Sequence, residues 1–176
     1  SDNCIEVRVH PVLIPDDSLL AKVDGVYNAV LVEGDLVGKV LFFGEGAGAQ
    51  PTSSAVIADV ISVAQDIVVG AGNRARWRHE PDKVIKPMSE IETRYYLRMD
   101  VADCPGVLAQ ISKVLGERLI SIASVIQKET DEVAQTAEIV IMTRPAQEKA
   151  VQQALDELAH LAVVKEISNF IRVENF

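Results

Sequence analysis

The chain has 176 residues, 48% of them apolar, with a net charge of −9 and a pI near 4.8. That length can bury one large or two small cores, with two expected, and the acidic balance argues against a nucleic-acid partner, whose phosphates need a clustered basic face. Cys4 and Cys104, far apart in sequence and in different local contexts, indicate neither a disulfide framework nor a paired metal motif, and no secretory signal or bilayer-length apolar run is legible, so a soluble cytoplasmic protein without a membrane partner is expected.

Ile5, Val7 and Val9 alternate with polar residues as a short strand, which Pro11 and Pro15 end or push to an edge. Tyr27 to Val32 and Leu36 to Phe43 form a β-hairpin around Glu33-Gly34-Asp35, with Gly38 as a candidate bulge. A glycine-rich loop, Gly44-Glu45-Gly46-Ala47-Gly48, then leads into a helix from about Thr52 to Val69. Strand, glycine loop and helix suit phosphate or dinucleotide contact, and they equally suit a plain tight turn. Position 49 is Ala, and no strand ending in an acidic residue follows about twenty residues later, so a complete Rossmann unit is excluded. The helix is apolar nearly all round, the pattern of a helix buried on several sides, although the elements around it are too few to bury it.

From Gly70 to about Glu92 the chain turns polar, with Pro81, Pro87 and the basic run Arg74, Arg76 and Arg78; a domain boundary is placed there, with Trp77 as a packing anchor beside His79. Tyr95, Leu97, Met99 and Val101 alternate as a half-buried strand, which Asp103-Cys104-Pro105-Gly106 breaks. A helix bearing Val107, Leu108, Ile111, Val114 and Leu115 on one face follows, with Asp103 able to cap it and Pro105 suited to its first turn. This turn is either a cap alone or a place where free amides meet a carboxylate. Two strands, Ile120 to Lys128 and Ala134 to Thr143, flank a turn at residues 129–132; a helix starting at Pro145 and a strand from Val163 to Val173 complete the order βαββαβ. Both helices then lie on one face of an antiparallel ferredoxin-like sheet, and its bare face and free edges favour self-association.

The D-x-P-G-V-L motif at Asp103 to Leu108, followed by the I-S-I-A-S strand, resembles an ACT domain, the small amino-acid-sensing module. His10-Pro11, Leu13-Ile14-Pro15, Y-N-A-V at Tyr27 to Val30, V-E-G-D at Val32 to Asp35, and G-x-G-A-G-x-x-P-T-S-S-A-V at Gly44 to Val56 resemble the end of the catalytic region of homoserine dehydrogenase. The expected organisation is an α+β chain: residues 1–72 as an incomplete α/β catalytic domain with a part-sheet and a long buried helix, 73–92 as linker, and 93–176 as the ACT domain.

The resemblance implies an NAD- or NADP-dependent enzyme interconverting aspartate semialdehyde and homoserine in threonine and methionine biosynthesis, feedback-regulated by threonine and at least dimeric. It places Gly48 near the nicotinamide side of the cofactor, with Gly46, Pro51 and Thr52 beside that contact. No catalytic residue carries over, and the chain by itself is expected to be inactive. An effector would sit between Val101, Asp103, Gly106, Val107 and Leu108 of one subunit and Ser121 and Ile122 of its partner. The chain departs from some amino-acid-binding relatives at Val101 and Ser121, where they have imidazole or amide side chains. The alternative is a stand-alone ACT-type sensor or dimerisation module without enzyme activity.

Overall fold

A computed structural model describes residues 4–70, 83–131 and 135–175. The arginine run, Trp77 and His79 lie outside them. In chain order the elements are β1 (Cys4–Ile5), β2 (Val12–Leu13), β3 (Tyr27–Gly34), β4 (Gly38–Glu45), α1 (Ala49–Val69), β5 (Val84–Ile85), β6 (Glu92–Ala102), α2 (Val107–Glu117), β7 (Ile122–Asp131), β8 (Thr136–Thr143), β9 (Ala146–Gln147), α3 (Glu148–Leu158) and β10 (Val164–Val173). Described residues 15–70 form one compact unit, and residues 4–14 join 83–175 in the other.

In the first unit β3 and β4 pair antiparallel without a break from Tyr27↔Glu45 to Gly34↔Gly38. Tyr27 and Phe43, diagonal across the ladder, stack with ring centroids 4.8 Å apart. The turn is Asp35-Leu36-Val37, so Leu36 and Val37, expected in the second strand, lie outside it. Gly38 is no bulge. Its φ of +70° supplies the left-handed residue where the turn re-enters the strand, and Asp35 Oδ1 accepts from the Leu36 amide at 2.9 Å.

Helix α1 starts at Ala49, three residues earlier than the sequence suggests, and ends at Gly70, whose φ of +64° makes a left-handed C-cap. None of its residues is buried. The expected buried helix is therefore not found: two strands and one helix offer no second layer to cover an all-round apolar surface. By length and composition alone α1 could cross a membrane, contrary to the expectation that no run reaches that length, although Asp59 and Asp66 interrupt it.

The second unit has the predicted order βαββαβ, with the sheet running β2-β10-β6-β8-β7. β6 is central and antiparallel to both β8 and β10, β7 is antiparallel to β8, and β2 adds in parallel to β10. Tyr95, Leu97, Met99 and Val101 of β6 are buried, while the residues between them are half-buried on the opposite face. Val107, Ile111, Val114 and Leu115 of α2 and Val151, Ala154 and Leu158 of α3 complete the core. Each such aliphatic side chain contributes about 1.5–3 kcal/mol by leaving water.

Two boundaries and one strand register differ from expectation. β7 continues through Asp131, past the turn expected at residues 129–132, of which residue 132 lies outside the described residues. α3 begins at Glu148 and not at Pro145, because Ala146–Gln147 is occupied as a short strand against Glu92 and Thr93. In β10 the register shifts between Val164 and Glu166 and again between Ile167 and Asn169. Strict alternation puts Ile167 and Ile171 on one face; the second bulge instead turns Phe170 to the core beside Ile167, where it stacks on Tyr95 at 5.2 Å.

Candidate functional site

The loop between β6 and α2 is held by its backbone. The Ala102 amide donates to Val163 O at 2.8 Å, the Asp103 amide to Gln135 O at 3.0 Å, and the Cys104 amide to Ala102 O at 3.0 Å. Gly106 is the N-cap of α2 with φ +89°, and a Cβ there would meet nothing within 4 Å. Its constraint is therefore conformational, and the space beside it is open. No side chain caps α2, so Asp103 does not fill the role its position suggests, and Pro105 precedes the first helical turn. The Val107 and Leu108 amides lack intrahelical partners by geometry and sit at the positive end of the helix dipole, an arrangement suited to a carboxylate. Asp103 is exposed, and its carboxylate is chemically suited to an ammonium group. Val101 and Val107 are buried and form the floor of this loop, while Leu108 remains 41% exposed.

Ser121 and Ile122 are elsewhere. Ile122 pairs with Thr143 at one end of β8, whereas Ala102, just before the loop, pairs with Thr136 at the other. Seven residues of β8 separate these positions, about 23 Å at the usual strand rise. Ile122 packs against the core, and Ser121 is exposed and gives its carbonyl to the Arg144 amide at 2.8 Å. One chain thus does not bring the two halves of the expected effector site together.

The four expected cofactor residues do cluster, at the start of α1. Gly48 is its N-cap with φ +129° and no side-chain cap, and the Thr52 amide donates to Gly48 O at 3.2 Å. A Cβ on Gly48 would touch Pro51 Cδ at 3.5 Å, an ordinary contact, so again backbone conformation selects glycine. Gly46 differs. A Cβ there would lie 1.4 Å from Asn28 Nδ2, and the Gly46 and Ala47 amides both donate to Val26 O, at 3.0 and 3.3 Å. The space at Gly46 is taken by Asn28, a residue whose packing role the sequence does not reveal, whereas at Gly48 a Cβ would meet only Pro51. Among the described residues no group of three His, Cys, Asp or Glu side chains could hold a metal, and Cys4 and Cys104 are free, exposed thiols.

A buried polar cluster escaped the sequence reading. Glu148 accepts from Tyr95 Oη at 2.9 Å, Gln152 Nε2 at 2.8 Å, Arg172 Nε at 2.8 Å and Arg172 Nη2 at 2.5 Å. Burial works to raise the Glu148 carboxyl, but the hydrogen bonds from Arg172, Gln152 and Tyr95 outweigh it and hold the group below its ordinary value. Burial first, and then the bond to Glu148, push the Tyr95 hydroxyl well above its ordinary value. Every acceptor is met within the fold, which marks the cluster as structural. On the sheet face away from the helices, Glu138 is held low chiefly by Lys128 at 2.7 Å and, against some burial, by Arg98.

Residues 2–61 match the homoserine dehydrogenase family and residues 95–161 the ACT domain family. By sequence, the chain joins a homoserine dehydrogenase region to an ACT domain. It is 44% identical over 176 residues to homoserine dehydrogenase of Neisseria gonorrhoeae, covering 97% of this chain and 40% of that protein. To the Helicobacter pylori homoserine dehydrogenase it is 42% identical, over 98% of this chain and 40% of that one. The crystal structure of a Thiobacillus denitrificans homoserine dehydrogenase superposes with a TM-score of 0.81 at 40% identity, over 99% of this chain and 40% of that one. The chain therefore spans about 40% of the length of the curated relatives it matches. The ACT domain is the βαββαβ unit, and the loop from Gly44 to Thr52 falls within the homoserine dehydrogenase match.

Proposed function

We propose that this chain is the regulatory and cofactor-proximal part of an NAD- or NADP-dependent homoserine dehydrogenase. The whole enzyme interconverts aspartate semialdehyde and homoserine in the cytoplasm, in threonine and methionine biosynthesis. The supporting observation is the succession of two family regions on one chain, together with a glycine-started helix in each that leaves its first amides without a side-chain cap. The nicotinamide cofactor would supply the hydride; Gly48, Pro51 and Thr52 would let it approach α1, and Gly46 holds their loop against Asn28. The chain carries no proton-transfer residue of the family and by itself turns over no homoserine. Assays of the 176-residue chain and of the full-length enzyme with homoserine and each cofactor test this. Turnover by the isolated chain, abolished by a substitution within it, would overturn the reading.

The ACT domain serves as the amino-acid sensor, with threonine as effector and a second copy of the chain completing the site. The separation of Ser121 from the Asp103 loop supports this arrangement. β7 is one edge strand of the sheet, whereas at the opposite side β2 pairs with Arg172 and Val173 of β10. Antiparallel pairing of two β7 strands brings the Ile122 end of one to the Asp131 end of the other, and Asp131 shares its β8 partner, Thr136, with Ala102. Each dimer then holds two equivalent sites. Titration calorimetry with a panel of amino acids tests it, with threonine expected to bind and alanine or lysine to give no heat.

A further inference from the structure

Residues 4–14 match the catalytic family by sequence, yet they are built into the ACT unit. Val12–Leu13 lie in parallel beside Arg172 and Val173 of β10, and the Glu174 amide donates to Leu13 O at 3.0 Å. A two-residue ladder is too short to hold by itself. What fastens it is charge: Arg8 Nη1 donates to Glu174 Oε1 at 2.5 Å, and its Nη2 lies 2.6 Å from Glu6, which Lys86 also approaches at 3.5 Å. The buried Thr93 hydroxyl lies 3.0 Å from the same Glu174 oxygen. Arg8 and Glu174 side chains are only 24% and 21% exposed, so the pair is partly shielded from solvent screening.

This attachment is continuous with the effector loop. The Ala102 amide is bonded to Val163 O, the residue just before β10; β10 lies along β6 over its length, Ser168 Oγ donating to Asp100 Oδ2 at 2.8 Å; and Glu174, the residue just after β10, is bonded to Leu13 and Arg8. From Ile14 the chain passes directly into Pro15, the first residue of the unit that carries the glycine loop. We propose that residues 4–14 are a strap through which the state of the amino-acid site reaches the catalytic region, with Arg8–Glu174 as its latch. The proposal rests on the effector reading above and adds the route of regulation. An effector that repositions the Asp103 loop shifts the β6–β10 pair, and with it the anchor of Leu13.

The test uses the full-length enzyme with Arg8→Met and Glu174→Gln, and L-threonine as probe. Three quantities are read: threonine Kd by calorimetry, the uninhibited rate, and the threonine concentration giving half inhibition. The expected result is a Kd within two-fold of wild type, an unchanged uninhibited rate, and at least a ten-fold rise in the half-inhibiting concentration. Protection of the Glu174 amide from hydrogen exchange should fall in parallel by about ten-fold. If threonine binds and inhibits both variants as it does wild type, the strap is overturned while the effector reading stands. Absence of threonine binding to wild type overturns the effector reading and the strap with it. Glu174→Gln keeps the shape and the acceptor for Thr93, so it carries the test should Arg8→Met fail to fold.

Discussion

Tyr95 donates its hydroxyl to Glu148 at 2.9 Å, tying the central strand of the ACT domain to the first turn of its second helix. Because Glu148 is held below its ordinary 4.5, its contribution to stability is complete above that value and is lost as pH falls through the lower folded value. Tyr95 has the opposite sign: its contribution is complete below 10.0 and is lost as the pH rises from there through its raised folded value. Urea unfolding between pH 3 and 7 should show the acid loss, and Glu148→Gln should remove about 3–5 kcal/mol at pH 7 by leaving Arg172 without its buried partner. Equal midpoints for variant and wild type across that range would show that the cluster is energetically idle.

The ACT half was legible because its signals are local. Alternation in Tyr95 to Val101 and the helical spacing of Val107, Ile111 and Leu115 each name one face, and one core satisfies both. What stayed hidden depends on contacts far apart in sequence. Glu148 looks like an ordinary charged residue at a helix start until Arg172, 24 positions on, folds over it. Phe170 reads as outward-facing until a bulge turns it inward. The apolar run of α1 reads as a helix buried on several sides, yet none of its residues is buried, because periodicity reports composition and not the neighbours available to cover it. Of the candidate site residues, the two glycine turns were visible, whereas Asn28 filling the space at Gly46 has no sequence signal beyond its place in Y-N-A-V.

Gly46→Ala should disturb the glycine loop through Asn28 and not through backbone strain, since the clash is with the end of a side chain that can move. In the full-length enzyme it is expected to raise the cofactor KM several-fold. Adding Asn28→Ala should recover much of that loss, a coupling of about 0.5–3 kcal/mol for residues in contact. Additive effects of the two substitutions would mean that Gly46 meets the cofactor directly.

Amide exchange should divide the 176-residue chain in two. β6 amides lie in the middle of a sheet over a buried core and should exchange slowest, while α1, with no buried residue, should be protected by little more than its own helix propensity. The same α1 amides should gain at least a hundred-fold protection in the full-length enzyme, where the rest of the polypeptide can cover them. Equal protection of α1 in both proteins would mean that its apolar surface is covered by something other than the remainder of the enzyme, such as a second copy of the chain.

If two chains build the amino-acid site, as proposed, a consequence follows that a one-chain site cannot imitate. Asp103→Ala removes the carboxylate proposed to meet an ammonium group, and loss of such a charge-assisted contact is expected to cost about 1.5–3 kcal/mol, or roughly ten-fold to a hundred-fold in affinity. Ser121→Arg obstructs the strand side, at an exposed position outside the core. Each variant alone should bind threonine poorly, because every site in its homodimer is damaged, and Ser53→Ala in the other unit should bind normally as a control. When the two damaged variants are mixed and allowed to exchange subunits, each mixed dimer has one site carrying both lesions and one carrying neither. Random exchange makes half of the dimers mixed, so about a quarter of all sites should regain wild-type affinity in calorimetry. A site built within one chain would regain nothing on mixing, since every chain keeps its own lesion. The Asp103 loop and Ser121 lie at opposite ends of β8 in one chain, and the recovery of that quarter is what the geometry requires if both touch the same ligand.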